Sequence, residues 1–220
     1  IGSGAGAFAQ LGRELPTPND YRTASGAPGH AYWQQQADYR IDARLDAEAR
    51  RIDATAHISY RNNSPDTLRY LWLQLDQNRF RADSLDQRSR TVSEDRVSYQ
   101  NLREHQAVSP GDFGYTGLSF TLADGRSMPF VVVDTLVRVD LPEVLSPGQA
   151  VSFDVEWGFN IVRRDTVRSR GGYEYFDESD TEIFFLAQWF PRLAAYSDYE
   201  GWHTQAFLGR GEFTLEFGDY

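Results

Sequence analysis

The chain has 220 residues, 40% of them hydrophobic and 14% aromatic, which is enough to bury a core in one large domain or two small ones. Its 22 basic residues, all arginine, face 32 acidic ones for a net charge of −10, which argues against sequence-independent nucleic-acid binding and against docking on anionic membranes. With no Lys and no Cys, a Schiff-base or P-loop lysine, a disulfide, a thiolate zinc site and a cysteine nucleophile are all excluded.

The chain opens on "IGSGAGAFAQ". Ala7-Phe8-Ala9 is an A-x-A pattern behind small and apolar residues, and this is how the end of a secretory signal peptide reads. Residues 1–9 are therefore expected to be a signal-peptide remnant, and the protein to be exported to the periplasm or the extracellular space. The other reading of these residues is a Gly/Ala-rich terminus of no fixed structure. No apolar run approaches the ~20 residues that a membrane helix needs. Residues 10–30 are rich in Pro, Gly, Asn and Thr and predict an extended lead-in without a core of its own.

From residue 31 the pattern is β. In "YRIDARLD" (39–46), Tyr39, Ile41, Ala43 and Leu45 alternate with charged residues. In "IDATAHISYRN" (52–62), Ile52, Ala54, Ala56, Ile58 and Tyr60 point one way and Asp53, Thr55, His57, Ser59 and Arg61 the other. Period two predicts strands with one wet face, and the short link between them predicts an antiparallel hairpin. "NNSPD" is a turn, and "TLRYLWLQLD" (67–76) is apolar on both faces, as in a central strand covered twice. Residues 77–112 are polar, charged and weakly periodic and read as an excursion, in which "RADSLDQRSRTVSED" (81–95) is expected to be partly helical. Strands resume at "GLSFTLAD", "GRSMPFVVVDTLVRVDLP" and "LSPGQAVSFDVEWGFNI", then at "GGYEYF", "EIFFLAQWFP" and the terminal alternation of Phe213, Leu215 and Phe217. The sum predicts an all-β antiparallel sandwich or saddle-like sheet in one domain, 31–220, cut short at its C-terminal end.

Motifs of chemistry are few. His30, His57, His105 and His203 have no helical i, i+4 spacing and form no H-E-x-x-H. No G-x-S-x-G elbow points to a serine nucleophile, although a Ser–His–Asp triad is recognised by geometry and stays open. "DESDTE" (177–182) lacks the EF-hand pattern and reads as a solvated acidic loop. Trp72 and Trp157 read as core. Trp189 and Trp202 flank turn-like sequence and are candidates for a site wall, or for a sugar-binding platform on a free-standing β-sandwich module.

Four segments together resemble the N-terminal domain of zinc aminopeptidases of the aminopeptidase N type, the gluzincin peptidases, and more closely a secreted bacterial branch. They are "YWQQQADYRIDARLD", "ISYRNNSPDTLRYLWLQLDQNRFRADS", "FFLAQWFPRLAAYSDYEGW" and "FLGRGEFTLEFGDY". The resemblance covers residues 31–220. It implies a saddle-shaped β domain packed on its own downstream thermolysin-like catalytic domain, the partner that carries H-E-x-x-H, a distant Glu ligand and G-x-M-E-N. This chain holds none of those motifs. By that resemblance the zinc belongs to the parent enzyme, this chain holds no cofactor, and alone it does not hydrolyse peptides. The resemblance also implies that the strand and loop around Gln188 reach the active site and help form the first subsite for the peptide substrate. Relatives place an acidic or amide residue two positions later to hold the substrate's α-amine. Here that position is Phe190, so amine recognition falls to residues outside this chain. Gln188, Trp189 and Phe190 are the candidate substrate-binding residues, with Phe184–Phe190 expected as a strand whose end lines the subsite and "YSDYEGW" as the loop after it. A role for Gln188 in satisfying backbone groups at a strand end also stays open, as does a non-catalytic relative that keeps the scaffold for protein contacts.

Overall fold

The computed structural model describes residues 18–89, 99, 113–164, 167, 169–211 and 214–220. The signal-peptide expectation, and the polar excursion beyond residue 89 up to 112 save Tyr99, lie outside them.

The alternation in the sequence becomes two long antiparallel strands, β1 (Gln36–Asp46) and β2 (Arg51–Arg61), in register from Gln36↔Arg61 to Asp46↔Arg51. β2 buries Ile52, Ala54, Ala56, Ile58 and Tyr60 and shows water the residues between them. β1 buries its start, through Ala37 and Tyr39, and exposes Ala43 and Leu45 at its far end. β3 (Leu68–Gln74) follows, then a 3₁₀ turn, Asp76–Phe80, and a one-turn helix α1, Leu85–Ser89. Next come β4 (Thr116–Leu122), β5 (Phe130–Val133), β6 (Leu136–Leu145) and β7 (Ala150–Asn160). The tail of the chain makes β8 (Gly172–Phe176), β9 (Thr181–Phe185), β10 (Arg192–Leu193), β11 (Tyr196–Ser197) and β12 (Gly201–Trp202).

Two four-stranded antiparallel sheets result, in the orders β1-β2-β7-β4 and β10-β3-β6-β5. One apolar cluster joins their inner faces: Ile58, Tyr60, Phe120, Phe153, Val155 and Phe159 from the first sheet, Leu71, Leu73, Val137, Val139 and Leu193 from the second. This is a sandwich, as the alternation predicts. β8–β9 and β11–β12 are separate two-stranded pairs.

Three expectations are corrected. β3 is central in its sheet but is not covered on both faces: Tyr70 is exposed and Trp72 is half-buried rather than in the core. Phe184–Phe190 is not one strand. The ladder with β8 ends at Phe185, and Ala187–Phe190 is a loop that crosses from the β8–β9 pair to β10 in the second sheet. "YSDYEGW" is not a plain loop either, because its ends pair as Tyr196↔Trp202. The terminal segment runs alongside β1 through a parallel bridge, Gln36↔Phe217, with the Ala37 and Tyr39 amides donating to the Phe217 and Asp219 carbonyls.

Candidate functional site

The Ala187–Phe190 loop has no sheet partner, so its backbone carbonyls need other donors. Buried side chains supply them. The Gln77 Nε2 amide donates to the carbonyls of Ala187 at 3.0 Å and Gln188 at 3.1 Å. The Trp157 indole N–H donates to the Trp189 carbonyl at 3.2 Å. Gln77 follows β3 of one sheet and Trp157 lies on β7 of the other, so the loop is pinned to both layers of the sandwich. Gln188 itself sits at φ +52°, in the left-handed region that a non-glycine residue enters only where its surroundings impose it.

The floor under the loop is polar and buried. "LQLDQNRF" ends β3 and turns, placing Gln74, Asp76, Gln77 and Asn78 inside. Arg192, at the end of the loop, donates to Gln74 Oε1 at 3.0 Å and forms an ion pair with Asp76. Burial still pushes the Asp76 carboxyl above its usual value, against the pull of the Arg192 guanidinium. Asn78 secures the turn: its amide donates to the Asp134 carbonyl and its oxygen accepts the Tyr115 amide N–H, both at 2.9 Å. Gly171 lets the start of β8 pass close by, since a side-chain carbon there would stand 3.1 Å from the Ala187 nitrogen.

Above this floor, ring packing fixes the two aromatics. Trp189 lies 6.2 Å from Trp157 and 5.3 Å, edge-on, from Phe190. Phe190 packs against Tyr39 and Tyr220, whose rings stack on each other at 5.0 Å. The buried Tyr39 hydroxyl accepts the Leu193 amide N–H at 2.8 Å. The half-buried Gln188 side chain makes no hydrogen bond among the described residues.

The second half of the segment is built differently. Tyr196 donates from its hydroxyl to Asp66 at 2.8 Å and contacts the Trp33 and Trp202 rings, while Trp202 also stacks on Tyr60. Asp198 holds Arg22 of the lead-in through contacts of 2.8 to 3.0 Å, so this part of the lead-in is strapped down. Glu216 accepts the Tyr196 amide N–H at 2.6 Å, and burial raises its carboxyl from the usual 4.5 to about 7.

The triad question is settled by geometry for the described residues. Ser197 Oγ and His203 Nε2 are hydrogen-bonded at 2.9 Å, but the Glu200 carboxylate approaches the same ring nitrogen, at 3.6 Å, where a relay needs an acid on Nδ1. His57 Nδ1 meets Asp154 at 2.8 Å on an exposed face, with no serine against it. No group of three or more His, Asp or Glu among the described residues is placed to hold a metal ion. No helix of the described residues is long and apolar enough to cross a membrane. A groove of about 560 Å³ is lined by residues of the first sheet, among them Arg51, Asp53, Glu156 and Trp157, the last being the residue whose indole N–H holds the Trp189 carbonyl. Its Arg51 is already bound to Asp53, Thr116 and Asn160.

Gln188, Trp189 and Phe190 thus form one pinned loop, and Trp202 belongs to a different cluster. Of the clamp residues, Trp157 is read from the sequence as core, which its burial bears out, and Gln77, Asp76 and Arg192 are not singled out there. The signal for them was "QLDQN", a run of amides and one acid closing an apolar strand. No protein-family model matches the chain, and no curated protein is significantly similar to it.

Proposed function

We propose that this chain is the N-terminal β domain of an exported zinc metallopeptidase of the aminopeptidase N type, and that it contributes one wall of the substrate cleft. The observation that carries the reading is the Ala187–Phe190 loop. Its three consecutive carbonyls are held by buried donors, and the Gln188 side-chain amide has no hydrogen-bond partner among the described residues. Pre-organised main chain with an unused amide is what a subsite wall requires, because the group loses little freedom when it meets a ligand. Trp189 and Phe190 give that wall apolar bulk. Tyr220 packs its ring on Phe190, beside the same loop.

The chemistry itself is assigned to that following domain, which supplies zinc, an activated water and a general base. The substrate class is a peptide. With Phe190 in place of an acid or amide, the α-amine is held from outside this chain. The alternative sugar platform has less support, since the Trp189 and Trp202 rings both pack on neighbours.

Reading the source DNA past the Tyr220 codon tests the proposal. An open frame reaching H-E-x-x-H and a later Glu, with zinc-dependent release of amino acids from amino-acid amides, supports it. A frame that closes at once, or continues without that motif, ends it.

A further inference from the structure

The edge of a sheet presents unpaired N–H and C=O groups to any other extended chain, and a sandwich of two open sheets has four such edges. Three of the four are blunted here. β1 is covered at its start, where the Ala37 and Tyr39 amides donate to the Phe217 and Asp219 carbonyls. Beyond that it carries Arg40, Asp42, Arg44 and Asp46 at every second position. β4 slips register between Thr116 and Ser119, and its other end is taken by residues 126–128: Thr121 bridges Ser127, and the Met128 amide donates to the Phe120 carbonyl. β10 is only two residues long.

β5 has none of these devices. Phe130, Val131, Val132 and Val133 pair with β6 without a slip, include no charge and no proline, and are 36 to 54% exposed. The alternation of the ladder says which main-chain groups are spare. The Asp140 amide donates to the Pro129 carbonyl, so the next bonded pairs are Val131 with Arg138 and Val133 with Leu136. Phe130 and Val132 therefore turn their N–H and C=O groups away from β6, and no described residue takes them.

Beside this edge lies a groove of about 410 Å³, lined by Val132 and Asp134 of the β5–β6 hairpin and by Arg81, Asp83, Leu85 and Arg88 of the segment that ends in α1. The two walls are tied together, since Asp134 Oδ1 accepts the Leu85 amide N–H at 2.7 Å. Arg81 is engaged with Asp83 at 2.9 and 3.0 Å. Arg88 is exposed, and its side chain makes no hydrogen bond or ion pair among the described residues.

Edge and groove together select the occupant. Spare N–H and C=O groups on alternate residues match an extended main chain, with side-chain specificity left to the groove beside it. Four residues offer far less than the ~800 Å² that each partner of a stable complex buries, which suits a short linear segment better than a folded surface. A second copy would also bring its own net charge of −10 to the contact. The unengaged guanidinium of Arg88 matches a carboxylate.

We infer that the open edge of β5 binds a short extended peptide segment of a partner protein, which joins the sheet as a fifth strand, bonds the main chain of Phe130 and Val132, and sets an acidic side chain against Arg88. β5 and β10 are opposite edges of one sheet, so this site is separate from the Ala187–Phe190 loop and holds whether or not the chain belongs to a peptidase.

Amide chemical shifts of the 220-residue chain, followed during titration with acetyl-Glu-Val-Thr-Val-Thr-Val-Glu-amide, test it. An acid at each end lets the peptide reach Arg88 in either strand direction. Saturable binding is expected, with shifts at Phe130–Val133 and Leu85–Arg88 and none along β1–β2. N-methylating the peptide's internal amides weakens binding ~10-fold, because the added strand loses its donors. Val132→Pro has the same effect with an unchanged unfolding midpoint, since the N–H it removes points away from β6. Arg88→Ala, or Gln for both Glu in the peptide, weakens binding ~5-fold and flattens its salt dependence. No saturable shift by about 5 mM peptide, shifts that lie away from β5, or equal binding of the N-methylated peptide overturns the inference. So do shifts at Phe130–Val133 that grow with the concentration of the chain alone, which make a second copy the occupant.

Discussion

The two halves of Glu182–Trp202 are both aromatic and both well packed, yet they use their polar groups in opposite ways. In Tyr196–Trp202 the polar side chains are turned inward on the protein itself: Ser197 to His203, Asp198 to Arg22, the Tyr196 hydroxyl to Asp66. In Ala187–Phe190 the polar partners come from beneath and reach only the backbone, and no described residue hydrogen-bonds the Gln188 side-chain amide. Self-satisfied polar groups tie a segment down as structure. In the proposed reading, a clamped backbone with such an amide is organised to meet a ligand. The same contrast separates a strap, which closes the lead-in onto the sandwich, from the proposed wall.

That contrast can be broken from either side, and the largest effect is expected under the loop. Arg192→Met leaves Asp76 buried without its cation and destabilises the domain by about 3–5 kcal/mol in urea unfolding. Next is Glu216, beneath the strap. Its folded value of about 7 lies above its ordinary 4.5, so the unfolded chain releases this proton first as pH rises. Its contribution is intact below pH 4.5 and falls as pH climbs towards 7, by about 3 kcal/mol at most. Glu216→Gln abolishes that part of the slope, and denaturant titrations of both proteins across the window show it. Gln77→Leu strips two carbonyls of their donor and costs about 1–3 kcal/mol, with faster amide exchange confined to the loop. Arg22→Ala frees the lead-in for about 1 kcal/mol or less, because the pair is partly in water, and raises proteolysis near Tyr21.

The sequence made one part of this legible and hid the other for physical reasons. β1 and β2 were readable because the period of two is a local property, and Ile52 to Tyr60 bury one face almost without exception. The break after Phe185 was not, because an apolar run looks the same whether the backbone stays in a ladder or leaves it. Neither Gln nor Trp advertises a turn, so the left-handed Gln188 had no signature. The clamp was further out of reach: Gln77 and Gln188 are 111 residues apart, and only the closure of the sandwich brings them together. Gln188, Trp189 and Phe190 were named from resemblance, and the geometry that makes the loop distinctive came from residues no local pattern connects to it.

The most direct measurement is Gln188→Ala in the proposed parent enzyme, with stability and kcat/KM for a peptide substrate determined together. Because the side chain has no hydrogen-bond partner among the described residues, stability should change by no more than about 0.5 kcal/mol. If the amide faces the substrate, kcat/KM falls ~10-fold or more, equivalent to about 1.4 kcal/mol of transition-state binding. An unchanged kcat/KM, or a loss of stability that accounts for the loss of activity, contradicts the assignment of this loop as a wall of the cleft.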